Sequence, residues 1–255
     1  MSRGVLSPVG SGTGVAWGHA TCNEGGVCLS MARRASSNGS LVDLLECCAW
    51  FVYLSRGTSR LAEESRALVL RLKQEGGAEG GGELLARQIV QEHAEELGTR
   101  FGDFFGPQVT MVPVPRSRRL TVREAWPSRG IALGLAEAGL AGGVAFALER
   151  ARPVWRSSWV DARFRVSPSE HASSLAVVRT GVDLRTVTLV DDVVTRGSQL
   201  LGAASALRRV YPHVTVRAFA LARTIGYRDA KVESGFGYRG VIRLLWQGDD
   251  AVREP

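Results

Sequence analysis

Asp191 and Asp192 stand together at the end of an apolar run, Thr186-Val-Thr-Leu-Val190. After Val193 and Val194 comes a turn of small and polar residues, Thr195-Arg-Gly-Ser198. Two adjacent carboxylates can accept the hydrogen bonds of a vicinal diol. A glycine-bearing turn that opens a helix lets successive backbone N–H groups wrap one phosphate. The whole run reads as a sugar-phosphate site, with hydroxyls on Asp191 and Asp192 and phosphate in the Thr195-Arg-Gly-Ser198 turn. Asp-Asp taken alone reads equally well as a helix cap or a solvated turn. A second constellation is Val112-Pro-Val-Pro-Arg-Ser-Arg-Arg119. Pro113 and Pro115 stiffen its backbone, while Arg116, Arg118 and Arg119 present forked donors suited to a diphosphate. Judged alone, it is also compatible with a solvated basic loop.

The remaining chemistry-bearing residues are less specific. Cys22 and Cys28 are separated by five residues, and Cys47 adjoins Cys48. Structural zinc favours two closely spaced pairs, and neighbours on a helix point about 100° apart, so incidental or buried thiols are the preferred reading. His93 stands by itself among helix-forming residues and reads as a surface or half-buried histidine. Between the two constellations lie Trp155, Trp159, Arg163, Arg165 and His171. This polar-aromatic stretch is either a lid that excludes water from an activated sugar or a packed crossover with tryptophans inside. His171 is read there as a general base or, preferably, as a plain surface histidine.

These residues need elements to hold them. Leu41, Leu44, Leu45, Cys48, Phe51 and Val52 recur at helical spacing, which predicts a helix ending at Arg56-Gly57. Further helices are predicted over Ser59–Gln74 and Glu83–Leu97, joined by a glycine-rich connection at 76–82. The period then changes. Strands are predicted at Val109–Pro115, Gly143–Leu148, Thr186–Val190 and Val214–Leu221, with helices at Ser128–Ala138 and Gly197–Tyr211. The nearly continuous apolar run at Thr186–Val190 suits a strand covered on both faces. Alternating strands and helices predict a parallel sheet with right-handed crossovers. Val241–Trp246 is read as an added edge strand and the residues from Gly248 as a tail.

Composition sets the limits. Of 255 residues, 45% are apolar and 22% charged, which excludes wholesale disorder and permits a large α/β core. The most apolar long window, Ile131–Leu148, carries Glu137 and four glycines and does not suit a membrane span. Lys plus Arg number 32 against 25 Asp plus Glu, a formal charge of +7, and only Lys73 and Lys231 are lysines. That balance favours an anionic ligand but does not by itself call for DNA. Residues 1–40 are rich in Gly and Ser, lack a secretory pattern and read as a poorly ordered segment. Met31 is an alternative start to Met1.

The acidic run resembles the phosphoribosyl-pyrophosphate (PRPP) loop of type I phosphoribosyltransferases: an apolar strand, two acids, two apolar residues, then a Thr-Thr-Gly-type turn. Val112-Pro-Val-Pro-Arg116 is similar to the pyrophosphate loop of the ComF-like, competence-associated branch, and the likeness extends over Leu41 to Thr224. The resemblance implies an α/β fold of the type I phosphoribosyltransferase kind, with a parallel sheet and flanking helices. It divides the chain into a helical N-terminal region at 41–100, a core at 101–224 and an extension at 225–255. It implies transfer of the 5-phosphoribosyl group of PRPP, with Mg2+, to a nitrogenous acceptor. Asp191 and Asp192 would be catalytic and, with Val193, Val194, Thr195, Arg196, Gly197, Ser198 and Gln199, would bind the ribose and 5-phosphate of PRPP. Pro115, Arg116, Ser117, Arg118 and Arg119 would hold pyrophosphate, and Arg163, Arg165 and His171 would lie in a lid. Cytoplasmic location and a homodimer are also implied, as is the alternative of a non-catalytic PRPP or nucleotide binder, or one tied to DNA uptake. Four features depart from the family: Arg196 and Gln199 stand where hydroxyl residues are common, the ComF-like zinc ribbon is missing, and Arg123-Glu-Ala-Trp-Pro127 stands where Arg-Gly-Phe-Asn-Gln is usual.

Overall fold

The computed structural model describes residues 41–74, 81–118, 125–154, 166–225, 236–245 and 250–255. Along the chain these form β1 (Leu44–Leu54), α1 (Arg60–Lys73), α2 (Gly81–Glu92), α3 (Ala94–Phe101), β2 (Gly106–Pro113), α4 (Pro127–Glu137), β3 (Ala141–Val144) and β4 (Leu148–Arg150). Then follow α5 (Pro168–Ser173), β5 (Leu175–Val177), β6 (Thr186–Val194), α6 (Ser198–Val210), β7 (Thr215–Ile225), β8 (Tyr238–Leu244) and β9 (Ala251–Glu254).

Seven strands make one sheet in the order β3-β2-β6-β7-β1-β8-β9. The five strands from β3 to β1 run parallel, and β8 and β9 are added antiparallel. The fold is therefore α/β with a mostly parallel sheet flanked by helices. Side chains alternate between two cores, as the strand period of two requires. On β6 and β7, Val187, Leu189, Val216 and Ala218 pack with α6, whereas Val190 and Phe219 pack with Ile89, Val90, Phe101 and Ile131 on the other side. Helix α4 lies close on α2 because Gly130 leaves room. A Cβ at that position would come within 2.1 Å of the Glu83 carbonyl oxygen. The helix predicted from Ser59 begins with Ser59 as N-cap, its hydroxyl accepting from the Ala62 N–H, a bond worth about 1 kcal/mol.

Several expectations need correction. Leu41–Val52 was expected to be helical, but Leu44–Leu54 is a strand between β7 and β8. The stretch is apolar almost throughout, so helical spacing can be found in it without being its true period. Residues 41–100 are consequently not a separate helical region, since β1 lies well inside the sheet. The predicted Glu83–Leu97 helix is two helices that meet at His93. Gly143–Leu148 is not one strand: β3 pairs with β2, and β4 leaves to pair with β5 in a small second sheet. The final residues are no tail either, because Ala251–Glu254 pairs with β8 and makes β9 the edge. A four-residue strand of mixed polarity carries no local signal; its partner defines it.

Cys47 and Cys48 are buried in β1, the reading preferred for them over zinc. Burial pushes the Cys47 thiol up to about 12 and holds that of Cys48 well above its ordinary value. Cys22 and Cys28 lie outside the described residues. Among the described residues no three His, Cys, Asp or Glu are grouped to share a metal. Iodoacetamide at about pH 8 should therefore modify Cys47 and Cys48 only after denaturation, because the thiolate is the nucleophile. Peptide mass spectrometry reads this out, and modification of either residue in the native protein would contradict an interior β1.

Candidate functional site

Strand β6 lies between β2 and β7, so its carboxyl end is at the middle of the parallel array. It runs longer than the sequence indicates. Asp191 pairs with Ala220, Val193 with Ala222 and Val194 with Arg223, which puts both acids inside the ladder. The turn comes immediately after. Thr195 shares a hydroxyl–hydroxyl hydrogen bond of 3.0 Å with Thr224 at the end of β7. Gly197 has φ +96, and a Cβ there would lie 2.5 Å from Ile242 Cγ2, so both backbone conformation and space demand glycine. Helix α6 then starts at Ser198 with no acidic residue in its first turn. Its leading N–H groups lack intrahelical acceptors and sit at the positive end of the helix dipole.

The two acids differ in environment. Asp191 is buried; its Oδ1 accepts the Asp192 N–H at 2.9 Å and the Ser128 hydroxyl at 3.4 Å. Gln199 approaches its Oδ2 and the Pro115 carbonyl, each at 3.5 Å. Burial, reinforced by the neighbouring Asp192, holds the Asp191 carboxyl well above the usual carboxylate range, partly opposed by the Asp192 N–H and the charge of Lys73. Asp192 is half-buried and accepts the Val193 N–H at 2.9 Å.

The Pro-rich loop arrives beside this turn because β2 pairs parallel with β6, and the Val114 N–H continues the ladder to the Val190 carbonyl at 2.9 Å. Pro115 is buried, and Arg116, Ser117 and Arg118 are half-buried. Arg116 donates to the Ala125 carbonyl at 2.8 Å and Ser117 accepts from the Val154 N–H. Arg119 lies outside the described residues. Trp126 donates from Nε1 to the Val114 carbonyl at 3.0 Å, so part of the divergent Arg123–Pro127 region braces the loop.

Sequence reasoning missed the residue that organises this loop. Arg150, 5% exposed, donates from Nε to Arg116 O at 2.9 Å, from Nη1 to Ser174 Oγ at 2.5 Å and from Nη2 to Pro115 O at 3.1 Å. Burial pulls its guanidinium down to about 10, against which the charge of Asp191 acts. No sequence signal marks it, because its role exists only once β4 has turned under the loop. Lys73, singled out in the sequence only as one of two lysines, likewise acts on Asp191 through its charge.

Of the expected lid, Arg163 and Arg165 lie outside the described residues, as do Trp155 and Trp159. His171 is in α5 and is buried, contrary to the surface position preferred for it. It packs on α6 at Gly202, where a Cβ would meet His171 Cβ at 2.5 Å. Its Nδ1 has no hydrogen-bond partner among the described residues. Burial, with the charge of Arg150, lowers its pKa to about 3. His93 is half-buried, as expected, facing Trp50 and Phe51 and bonded to Glu96 at 2.9 Å. Arg196, within the turn, forms an ion pair with Asp250.

No family model matches the chain, and neither does any curated protein. Solved structures do show a likeness. A hypoxanthine phosphoribosyltransferase from Staphylococcus aureus aligns over 57% of this chain and 75% of its own at 11% identity, with a TM-score of 0.33. A second crystal form of it gives 0.31 over 57% and 76%, again at 11% identity. The adenine phosphoribosyltransferase of Leishmania tarentolae aligns over 56% and 70% at 14% identity, with a TM-score of 0.26.

The buried His171 makes stability acid-sensitive. Its folded pKa lies below its unfolded value, so on acidification the unfolded chain takes up the proton first. Stability falls from about pH 6.5 towards pH 3, by on the order of 3 kcal/mol at pH 4. Asp191, whose folded pKa is raised, acts in the opposite sense, which is why the comparison must be between proteins. In urea titrations across that range, the stability difference between wild type and His171→Asn should shift in favour of the variant as pH falls. A pH-independent difference would show that His171 is not buried as a neutral ring. Gly197→Ala should cost about 2 kcal/mol or more in the same titrations, from positive φ and collision with Ile242.

Proposed function

We propose that the protein binds PRPP together with Mg2+ and transfers its 5-phosphoribosyl group to a nitrogenous acceptor, releasing pyrophosphate. The observation that carries this reading is the junction of β6 and α6. Two carboxyl groups lie near the end of a central parallel strand, the second of them two residues before its last, and a left-handed glycine turn leads on to a helix N-terminus. Ligands of open α/β sheets bind at this end of the strands. In this reading Asp191 and Asp192 receive the ribose hydroxyls. The amides and hydroxyls of Thr195, Arg196, Gly197 and Ser198 receive the 5-phosphate. The Pro115–Arg119 loop, braced from below by Arg150, faces the diphosphate. The Val-Pro-Val-Pro-Arg run supports the ComF-like branch, and a soluble phosphate-rich substrate supports work in the cytoplasm.

The bond between C1 of the ribose and the diphosphate oxygen breaks with its electrons leaving on pyrophosphate, as the acceptor nitrogen forms the new bond to C1. Positive charge develops on the sugar, so the chain has little covalent chemistry to perform; positioning and electrostatics supply the rate. Asp192, less buried than Asp191, is the carboxylate better placed to offset that charge. The hard oxygens of Asp191 and Asp192 suit magnesium, and with no third ligand grouped with them among the described residues the ion would depend on ribose and diphosphate oxygens and water. When bound, magnesium supplies neutralisation of the leaving group.

A second reading, a PRPP or nucleotide binder without turnover, is favoured by one observation: Arg116 is engaged by the Ala125 carbonyl and so offers the loop fewer donors. Calorimetry with PRPP and Mg2+ on wild type and on Asp191→Asn/Asp192→Asn tests the site. Micromolar binding should be abolished by the double change, and equal affinity in both proteins would reject the assignment. Pyrophosphate release measured with a panel of nucleobases separates the readings, since turnover supports the transferase and binding without turnover supports the sensor.

A further inference from the structure

We propose that Asp250 is a built-in competitor for the phosphate ester at the Thr195–Ser198 turn, holding the Arg196 guanidinium until a phosphate takes it over. The inference rests on the sugar-phosphate reading of that turn and gives a role to its most divergent residue.

Arg196 belongs to the turn itself, so its side chain is tethered within reach of any phosphate bound to the turn's amides. It is ion-paired with Asp250, and the two side chains are 38% and 37% exposed. A pair this open to water contributes at most about 1 kcal/mol to stability.

The C-terminal segment does not need the pair to stay in place. Val241, Ile242, Arg243 and Leu244 of β8 pair with Glu254, Arg253, Val252 and Ala251 of β9. Arg253 donates to the Val194 carbonyl at 3.0 Å and to the Thr224 carbonyl at 2.5 Å, bridging the ends of β6 and β7. The same guanidinium lies 5.2 Å from the Tyr238 ring centroid, and the Tyr238 hydroxyl donates to the Glu254 carbonyl. Asp250 holds its own segment through its other oxygen, which accepts the Ala251 N–H at 2.8 Å. With the segment anchored independently, the contact between Arg196 and Asp250 is free to exchange.

A phosphate monoester wins that exchange on chemical grounds. It carries up to two negative charges and three strong acceptor oxygens, which match the planar fork of a guanidinium better than one carboxylate oxygen does. Until it is displaced, Asp250 occupies the guanidinium and keeps it from the incoming anion. Removing its charge therefore strengthens binding, whereas a contact that merely held the turn in shape would weaken binding when lost.

Calorimetric titration of PRPP with Mg2+ into wild type, Asp250→Asn, Arg196→Thr and the double variant tests the sign. Asp250→Asn should bind roughly two- to fivefold tighter, and Arg196→Thr about tenfold weaker. In the Arg196→Thr background the Asp250→Asn change should add nothing, because the two act through one contact. If wild type binds and Asp250→Asn is unchanged or weaker, the competitor role is overturned and the sugar-phosphate site stands. Equal tightening in both backgrounds also overturns it, since the effect then bypasses Arg196. Absence of binding by wild type overturns this inference and the functional reading together.

Discussion

Arg150 donates from all three guanidinium nitrogens beneath the Pro115–Arg116 loop, and the shape of the candidate site depends on that buried fork. Carbonyl groups of a loop that bends away from its sheet have no strand partner, and leaving them buried and unpaired costs about 1–3 kcal/mol each. A charged donor meets two of them at once and also ties in Ser174 from the end of α5. Its own desolvation is offset by these three hydrogen bonds, one from each nitrogen. Removing one member of such a buried charged group typically costs about 3–5 kcal/mol. Arg150 is therefore the link that joins the basic loop, the small β4–β5 sheet and the end of α5.

Around this link the site is assembled from elements distant in sequence. β2 and β6 are neighbours only because a parallel sheet sets them side by side, which aligns the ends of both strands. Asp191 meets Ser128 from the start of α4 and Gln199 from the start of α6. The turn at Gly197 is closed from behind by Ile242 on the antiparallel β8. The C-terminal strands are thus part of the phosphate turn's support, with Arg253 joining the ends of β6 and β7.

The two acids illustrate how placement separates like residues. Both are aspartates in one strand, yet Asp191 is buried among Ser128, Gln199 and the Asp192 N–H, while Asp192 is half-buried and accepts its own successor's N–H. His171 follows the same logic in reverse: burial against α6 near a fixed cation keeps its ring neutral. For Asp191, held well above the usual carboxylate range by burial, and for His171, titration belongs to position rather than to residue type.

Strong local signals were legible in the chain itself. The apolar Thr186–Val190 run, the paired acids, the glycine turn and the α6 pattern together announced a strand, a turn and a helix, because each rests on contacts within a few residues. The helix from Ser59 and the Pro-rich end of β2 were readable for the same reason. Leu44–Leu54 was not, since a segment apolar on both faces fits either period until its partners β7 and β8 are known. Nor was β9, whose four residues become a strand only by pairing with β8. Arg150 and the exchangeable contact of Arg196 with Asp250 lay beyond sequence reasoning altogether. They join residues 24 and 54 positions or more apart, and such contacts exist only after the sheet order has been chosen by burial of both its faces.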